Sequence, residues 1–168
     1  KRFVFTSTVK VNGEGRDQPY RETDTAAPED AYAISKWEAE EGLRRIAEET
    51  GLEIVILRPP LVYGPGVQAN FLRLMRLVEK GWPLPLGAIE NRRSLLYLGN
   101  FVDAIQRCIE HPAAAGQTFL LDDGEAVSTP ELIRRLARAM GRPARLVPVP
   151  GGLLELGGRM LGRRSAVE

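Results

Sequence analysis

The sequence predicts an α/β chain organised on a parallel sheet, and three observations carry that expectation. A short apolar, β-prone run, Phe3-Val4-Phe5, is followed by a helical pattern of about five turns and then by the β-branched run Glu53-Ile54-Val55-Ile56-Leu57. Strand, helix and strand in that order make a crossover unit whose two strands run parallel. The second run lacks polar alternation, as expected of a strand covered on both faces. Finally, 168 residues suffice for one domain, or a large part of one, with a substantial core.

The elements follow in order. The first strand ends in the polar cluster Thr6-Ser7-Thr8, and residues 12–28 are polar, unpatterned and contain Gly and Pro, so they read as a surface loop. Pro28-Glu29-Asp30 opens the long helix, placing acidic residues in its first turn where the helix dipole favours them. Ala33, Ile34, Trp37, Glu40, Leu43, Ile46 and Ala47 give it a mostly apolar face, and Gly51 stops it. Arg58-Pro59-Pro60 ends the next strand, because proline has no N–H for the ladder. A loop through Tyr63-Gly64-Pro65-Gly66 leads to Asn70, a good cap for a helix over 71–80.

Ser94 to Leu98 reads as a strand, and Asn100 to Glu110 as a helix with Val102, Ile105, Cys108 and Ile109 inward. Thr118 to Leu121 is a further strand, closed by the turn Asp122-Asp123-Gly124. Ser128 or Thr129 caps a helix with Pro130 at its first position and an apolar stripe of Leu132, Ile133, Leu136, Ala137 and Met140. Residues 151–162 form an amphipathic helix candidate weakened by Gly157-Gly158.

Composition narrows the function. The chain carries 23 basic against 22 acidic residues, a formal charge of +1, which argues against a protein that coats nucleic acid. A single cysteine, Cys108, excludes an internal disulfide framework and a cysteine-based zinc site, and fits a reducing compartment. No stretch approaches the roughly 18 apolar residues of a membrane span. His111, the only histidine, stands before Pro112 at a helix end and reads as a cap, and no G-x-S-x-G nucleophile elbow is present.

Tyr32-Ala33-Ile34-Ser35-Lys36 is the most informative constellation. Residues four apart share a helix face, so the phenol and the ammonium can point into one cleft. An ammonium about 5 Å from a phenol favours the charged phenolate and fits it for proton exchange with a substrate hydroxyl. Ser7 and Thr8 stand where the first strand ends, and strand ends in open parallel sheets face the ligand crevice. The spacing alone is common, and by itself it favours an amphipathic pair on a solvated face. Asn70 reads as a helix cap or as a phosphate ligand beside oriented backbone N–H groups. Arg93, next to Arg92, suits a diphosphate because the guanidinium donates in a planar fork; a solvated arginine pair is the alternative.

In order, Phe5-Thr6-Ser7-Thr8, Val11-Asn12-Gly13, Tyr32-x-x-x-Lys36 and Leu57-Arg58-Pro59-Pro60-Leu61-Val62-Tyr63-Gly64-Pro65-Gly66 resemble the second half of an extended short-chain dehydrogenase/reductase, in the NAD-dependent nucleotide-sugar epimerase/dehydratase group. Arg93 to Leu98 and Phe119 to Thr129 resemble later segments of the same family. The resemblance implies a Rossmann-like parallel sheet, with residues 1–65 in the cofactor-binding domain. Residues 66–168 would be mostly a small substrate-binding α/β portion, with 94–121 returning to the sheet. It implies Tyr32 as the proton-transfer residue and Lys36 as the lysine that holds the nicotinamide ribose and supports the phenolate. Thr8 would bond the reacting sugar oxygen, with Ser7 its neighbour in the cofactor site. The backbone at Pro59-Pro60 would face the nicotinamide, unless the prolines merely end the strand. Asn70 and Arg93 would hold the diphosphate. Leu61 departs from the asparagine many relatives carry, which removes one polar contact to the substrate.

The implied cofactor is NAD, with NADP open, and the implied substrate a UDP-sugar acted on by a cytoplasmic homodimeric 4-epimerase. The motifs are most similar to enzymes of bacterial surface-polysaccharide synthesis. A 4-keto-sugar reductase, a hydroxysteroid-type dehydrogenase and a non-enzymatic NAD or sugar binder are the competing readings. The fingerprint G-x-x-G-x-x-G does not occur in the chain. The family places it before Lys1, so the N-terminal half of the cofactor-binding sheet is expected to be missing. The chain alone is then expected to bind NAD weakly, to be inactive and to aggregate through an exposed sheet edge.

Overall fold

A computed structural model describes residues 1–16, 18–150 and 152. The chain divides into two compact units, one made of residues 1–65 and 94–125, the other of residues 66–93 and 126–168.

The first unit is built on a parallel sheet. Strands β1 (Arg2–Thr6), β2 (Glu53–Arg58) and β5 (Thr118–Leu120) lie in the order β1-β2-β5. The register pairs Val4 with Val55 and Ile56 with Thr118. The central strand is the one the sequence marks as covered on both faces, and Ile54, Val55, Ile56 and Leu57 are all buried. Helix α1 (Ala31–Thr50) crosses between β1 and β2, giving the expected strand–helix–strand unit. Its acidic residues do not lie in the first turn. Asp30 stands one position outside as the cap, its carboxylate accepting the Ala33 N–H at 2.6 Å, so it satisfies an orphan donor directly. Gly51 ends the helix in the left-handed conformation.

After Arg58, Pro59 and Pro60 interrupt the ladder, and β3 (Leu61–Tyr63) starts a second parallel pairing with β4 (Arg93–Tyr97), Val62 opposite Leu96. Helix α3 (Leu98–Glu110) follows at once. Its inward stripe is Phe101, Ile105 and Cys108, which pack with Val4, Val55, Leu57, Ala114, Phe119 and Leu121. Val102 and Ile109, expected inward, are exposed. They sit one residue further round the helix, about 100° from the buried stripe. Arg2 closes the helix end, its guanidinium donating to the carbonyls of Cys108, Ile109 and His111 at 2.9, 3.1 and 2.7 Å. His111 does cap: its Nδ1 accepts the Ala113 N–H at 3.2 Å, at the start of a short 3₁₀ turn.

The second unit contains α2 (Ala69–Glu79), the short strand β6 (Ala126–Val127) and α4 (Thr129–Ala139). Val78, Leu84, Ile133 and Ala137 form its buried centre, with Leu74, Leu136, Met140 and Leu146 packed around them. Ser128 is the cap of α4, accepting the Glu131 N–H at 3.3 Å, with Pro130 inside the first turn. The candidate helix over 151–162 lies outside the described residues, Gly152 excepted.

Candidate active site

Parallel pairing continues past the end of β1 and fixes the residues that follow. The Ser7 N–H donates to the Leu57 carbonyl at 2.7 Å and the Val9 N–H to the Pro59 carbonyl at 3.0 Å. Thr8 is held between these two bonds. It also caps the 3₁₀ turn Val9–Asn12, its Oγ1 accepting the Lys10 N–H at 3.4 Å. An oxygen that accepts in this way keeps its own proton for donation elsewhere.

The turn is tied to the start of α1. Lys10 Nζ lies 2.7 Å from Asp30 Oδ2 and 2.5 Å from Glu14 Oε1. The bonds to Asp30 and Glu14 raise the Lys10 pKa, and those from Lys10 and the Ala33 N–H lower that of Asp30. The residue that caps α1 is therefore clamped to the turn carrying Thr8, and Tyr32 stands two residues beyond it.

Tyr32 and Lys36 share one side of α1. Lys36 Nζ lies 5.9 Å from the Tyr32 ring centroid, donates to the Thr6 carbonyl at 3.0 Å and sits 4.9 Å from the Phe5 ring centroid. The ammonium is thus anchored on the end of β1. One of its three N–H groups is used there, and among the described residues the other two have no acceptor. Tyr32 is 53% exposed, and its hydroxyl bonds to none of the described residues. A phenol open to a ligand, an ammonium with spare donors and a threonine hydroxyl are all brought to the ends of β1 and α1.

The remaining candidates are Ser7, Pro59, Asn70 and Arg93. Ser7 is 2% exposed and its hydroxyl donates to Glu40 Oε1 at 2.5 Å, so it faces the interior. Pro59 is buried, and its carbonyl is occupied by Val9. Asn70 is not the cap of α2. The helix begins at Ala69 with Gln68 at the cap position, so Asn70 lies inside the first turn with its side chain exposed. Arg93 opens β4, exposed and without an ion pair among the described residues. Asn70 and Arg93 belong to the second unit, the other candidates to the first.

Sequence reasoning missed the buried polar cluster beneath the site. Glu40 and Arg58 are 0% and 2% exposed and pair in bidentate fashion, Nε to Oε1 at 2.9 Å and Nη2 to Oε2 at 2.6 Å. Arg58 Nη1 also donates to Asn12 Oδ1 at 3.0 Å, and Asn12 Nδ2 to the Arg21 carbonyl at 3.0 Å. A signal was present. Tyr32, Lys36, Glu40 and Arg44 recur every four residues, one polar stripe down a helix that must pack on a sheet.

A UDP-glucose 4-epimerase of Vibrio cholerae is 50% identical over 171 residues, matching 100% of this chain and 52% of its own length. The solved UDP-glucose 4-epimerase of Thermus thermophilus, in complex with NAD, superposes with a TM-score of 0.73 at 26% identity, over 89% of this chain and 51% of that one. A UDP-glucuronic acid 4-epimerase from Bacillus cereus, in complex with UDP-glucuronic acid and NAD, gives a TM-score of 0.76 over 88% of this chain and 48% of that one. At 24% identity, that likeness is one of fold. The chain spans about half the length of the curated relatives it matches. Residues 1–121 match the family described as NAD dependent epimerase/dehydratase. With a strand–helix–strand sheet, a tyrosine and lysine on one helix face and a family match over most of its length, the chain belongs to the NAD-dependent epimerase/dehydratase family.

Proposed function

We infer that the protein acts as a UDP-sugar 4-epimerase, with Tyr32 as the proton-transfer residue. The observation that carries this reading is the pairing of Tyr32 and Lys36 on one side of α1, with Lys36 Nζ 3.0 Å from the carbonyl that ends β1. The likeness to the Vibrio cholerae enzyme, named as a UDP-glucose 4-epimerase, supports the substrate class.

Each residue has a separable task. Tyr32 takes the proton of the sugar C4 hydroxyl and later returns it; its 53% exposure leaves the phenol accessible to such a partner. Lys36 places a positive charge beside that phenol and offers its two free N–H groups to ribose hydroxyls. Thr8, whose oxygen accepts from Lys10, donates its proton to the reacting sugar oxygen. The donor set therefore fits NAD, which when bound supplies the hydride acceptor and donor of the reaction. Arg93 and Asn70 are the groups in the second unit suited to the substrate diphosphate. A cytoplasmic homodimer completes the reading, supported by the family resemblance.

The test is interconversion of UDP-glucose and UDP-galactose by the intact protein and its Tyr32→Phe variant. Loss of the proton-transfer group should lower kcat by about 100-fold to 10,000-fold, with NAD binding unchanged. Turnover equal to that of the unsubstituted protein overturns the assignment.

A further inference from the structure

Two candidate site residues, Thr8 and Pro59, sit beside members of one buried cluster. Ser7 precedes Thr8, Arg58 precedes Pro59, and Asn12 ends the turn that Thr8 caps. Glu40 lies one turn beyond Lys36 on the same side of α1. Glu40 accepts from Ser7 at 2.5 Å and from Arg58 at 2.9 and 2.6 Å, and Arg58 reaches Asn12 at 3.0 Å. One carboxylate and one guanidinium thus join the end of β1, the turn after it, the end of β2 and the middle of α1. The same segments carry Thr8, Tyr32 and Lys36.

An ion pair so deeply buried is weak evidence of stabilisation. Desolvating both charges offsets much of their attraction, and well-packed apolar residues of the same volume often serve as well. What the pair supplies is geometry. A bidentate fork fixes distance and orientation together, whereas an apolar contact between the same segments leaves them free to slide. The Ser7 hydroxyl extends that constraint to the residue beside Thr8. At the outer end of the stripe Arg44 Nη2 lies 3.4 Å from Glu40 Oε2 and 3.2 Å from Thr118 Oγ1, so the cluster also spans to β5.

We propose that Glu40 and Arg58 are positioning residues for the Thr8–Tyr32 pair: they hold the end of β1 against α1 so that the threonine and tyrosine hydroxyls meet one substrate oxygen. The proposal rests on the reading of Tyr32 and Thr8 given above. Neither Glu40 nor Arg58 touches substrate, and their loss acts on the chemical step while leaving binding intact. A displacement of about 1 Å at a reacting pair can cost about 100-fold in rate.

The experiment uses the intact protein with Glu40→Gln, Arg58→Lys, Ser7→Ala and Tyr32→Phe. UDP-glucose epimerisation is measured well below each melting temperature, alongside KM and NAD affinity. The expected result for Glu40→Gln and Arg58→Lys is a kcat lower by about 100-fold, with KM and NAD affinity unchanged. Ser7→Ala, which leaves the bidentate pair in place, should show the same split at smaller size and decides the matter if the other two fail to fold. A purely structural role predicts a lowered melting temperature with normal kcat in the cold, and that result overturns the proposal. A loss confined to KM or NAD affinity overturns it as well, since the cluster would then be serving binding. Tyr32→Phe keeps the two failures apart: full activity in that variant sinks the assignment of proton transfer to Tyr32, whereas an inactive Tyr32→Phe beside a fully active Glu40→Gln and Ser7→Ala sinks only the positioning role.

Discussion

Replacing Arg2 by methionine tests how the first strand and the third helix are held together. Arg2 is the first residue of β1, yet its guanidinium spans to the far end of α3, donating to the carbonyls of His111 at 2.7 Å, Cys108 at 2.9 Å and Ile109 at 3.1 Å. Its side chain is only 13% exposed, so water replaces these bonds poorly. A hydrogen bond from a charged donor contributes about 1.5–3 kcal/mol. Counting the two shortest at the lower end of that range gives about 3 kcal/mol, which also covers the attraction between a cation and the helix C-terminus. The pair with Glu53, at 2.8 Å but with Glu53 47% exposed, adds at most about 1 kcal/mol after solvent screening. Methionine keeps the apolar stem and removes every donor. Urea denaturation of the intact protein, followed by circular dichroism, should therefore show Arg2→Met less stable by about 3 kcal/mol, roughly 150-fold in the unfolding constant. Glu53→Gln should lose under about 1 kcal/mol. Equal losses in the two variants would show that the surface ion pair, not the capping of α3, carries the effect.

Asp123 accepts from the Tyr97 N–H, Asn100 Nδ2 and the Tyr63 hydroxyl; burial pushes its pKa up, but these bonds outweigh it and hold the carboxyl below its ordinary value. A depressed carboxyl contributes stability that is present above the unfolded-state value and lost as pH falls through the folded one. Asp123→Asn should accordingly flatten the acid limb of a stability–pH curve below about pH 4, and an unchanged limb would refute this. Gly64 adopts φ +152° and a Cβ there would lie 2.8 Å from Leu98 Cβ, so Gly64→Ala should cost about 1–3 kcal/mol in a melting experiment. Ile133, 1% exposed in the second unit, should cost about 2–5 kcal/mol when cut to alanine, and Ser128→Ala about 1 kcal/mol through loss of the α4 cap, both read from denaturant midpoints.

Local periodicity made much of the first unit legible. The central strand is a run of buried aliphatic residues with no polar break, and no other element fits such a run at that length. Tyr32 and Lys36 were readable for a similar reason: four residues along a helix is a fixed displacement, independent of what packs nearby. Errors arose where tertiary contacts decide. Val102 and Ile109 are as hydrophobic as Phe101 and Cys108, and only the position of the sheet selects which stripe turns inward. Asn70 resembles a cap, but Gln68 takes that position without a side-chain bond. The four-residue stripe marks Glu40, but the burial of Glu40 and Arg58 was not legible because charged residues are ordinarily solvated. Their burial depends on each finding the other across 18 residues of chain, with Ser7 and Asn12 completing the set. Asp123, which secures the start of α3 from a later loop, carries no local mark of that task.

The central strand acquires its two neighbours at very different times. β1 precedes β2 and pairs with it as soon as α1 has formed, but β5 comes only after the chain has left the first unit at Pro65 and rejoined it at Ser94. During synthesis, Ile56, Leu57 and Arg58 therefore wait with one row of backbone donors and acceptors unpaired until residues 118–120 leave the ribosome. Slow translation between those points prolongs the exposure of a sticky edge to other nascent chains. Substitutions that weaken β5 should therefore reduce the yield of soluble protein in cells more than they lower the stability of molecules already folded.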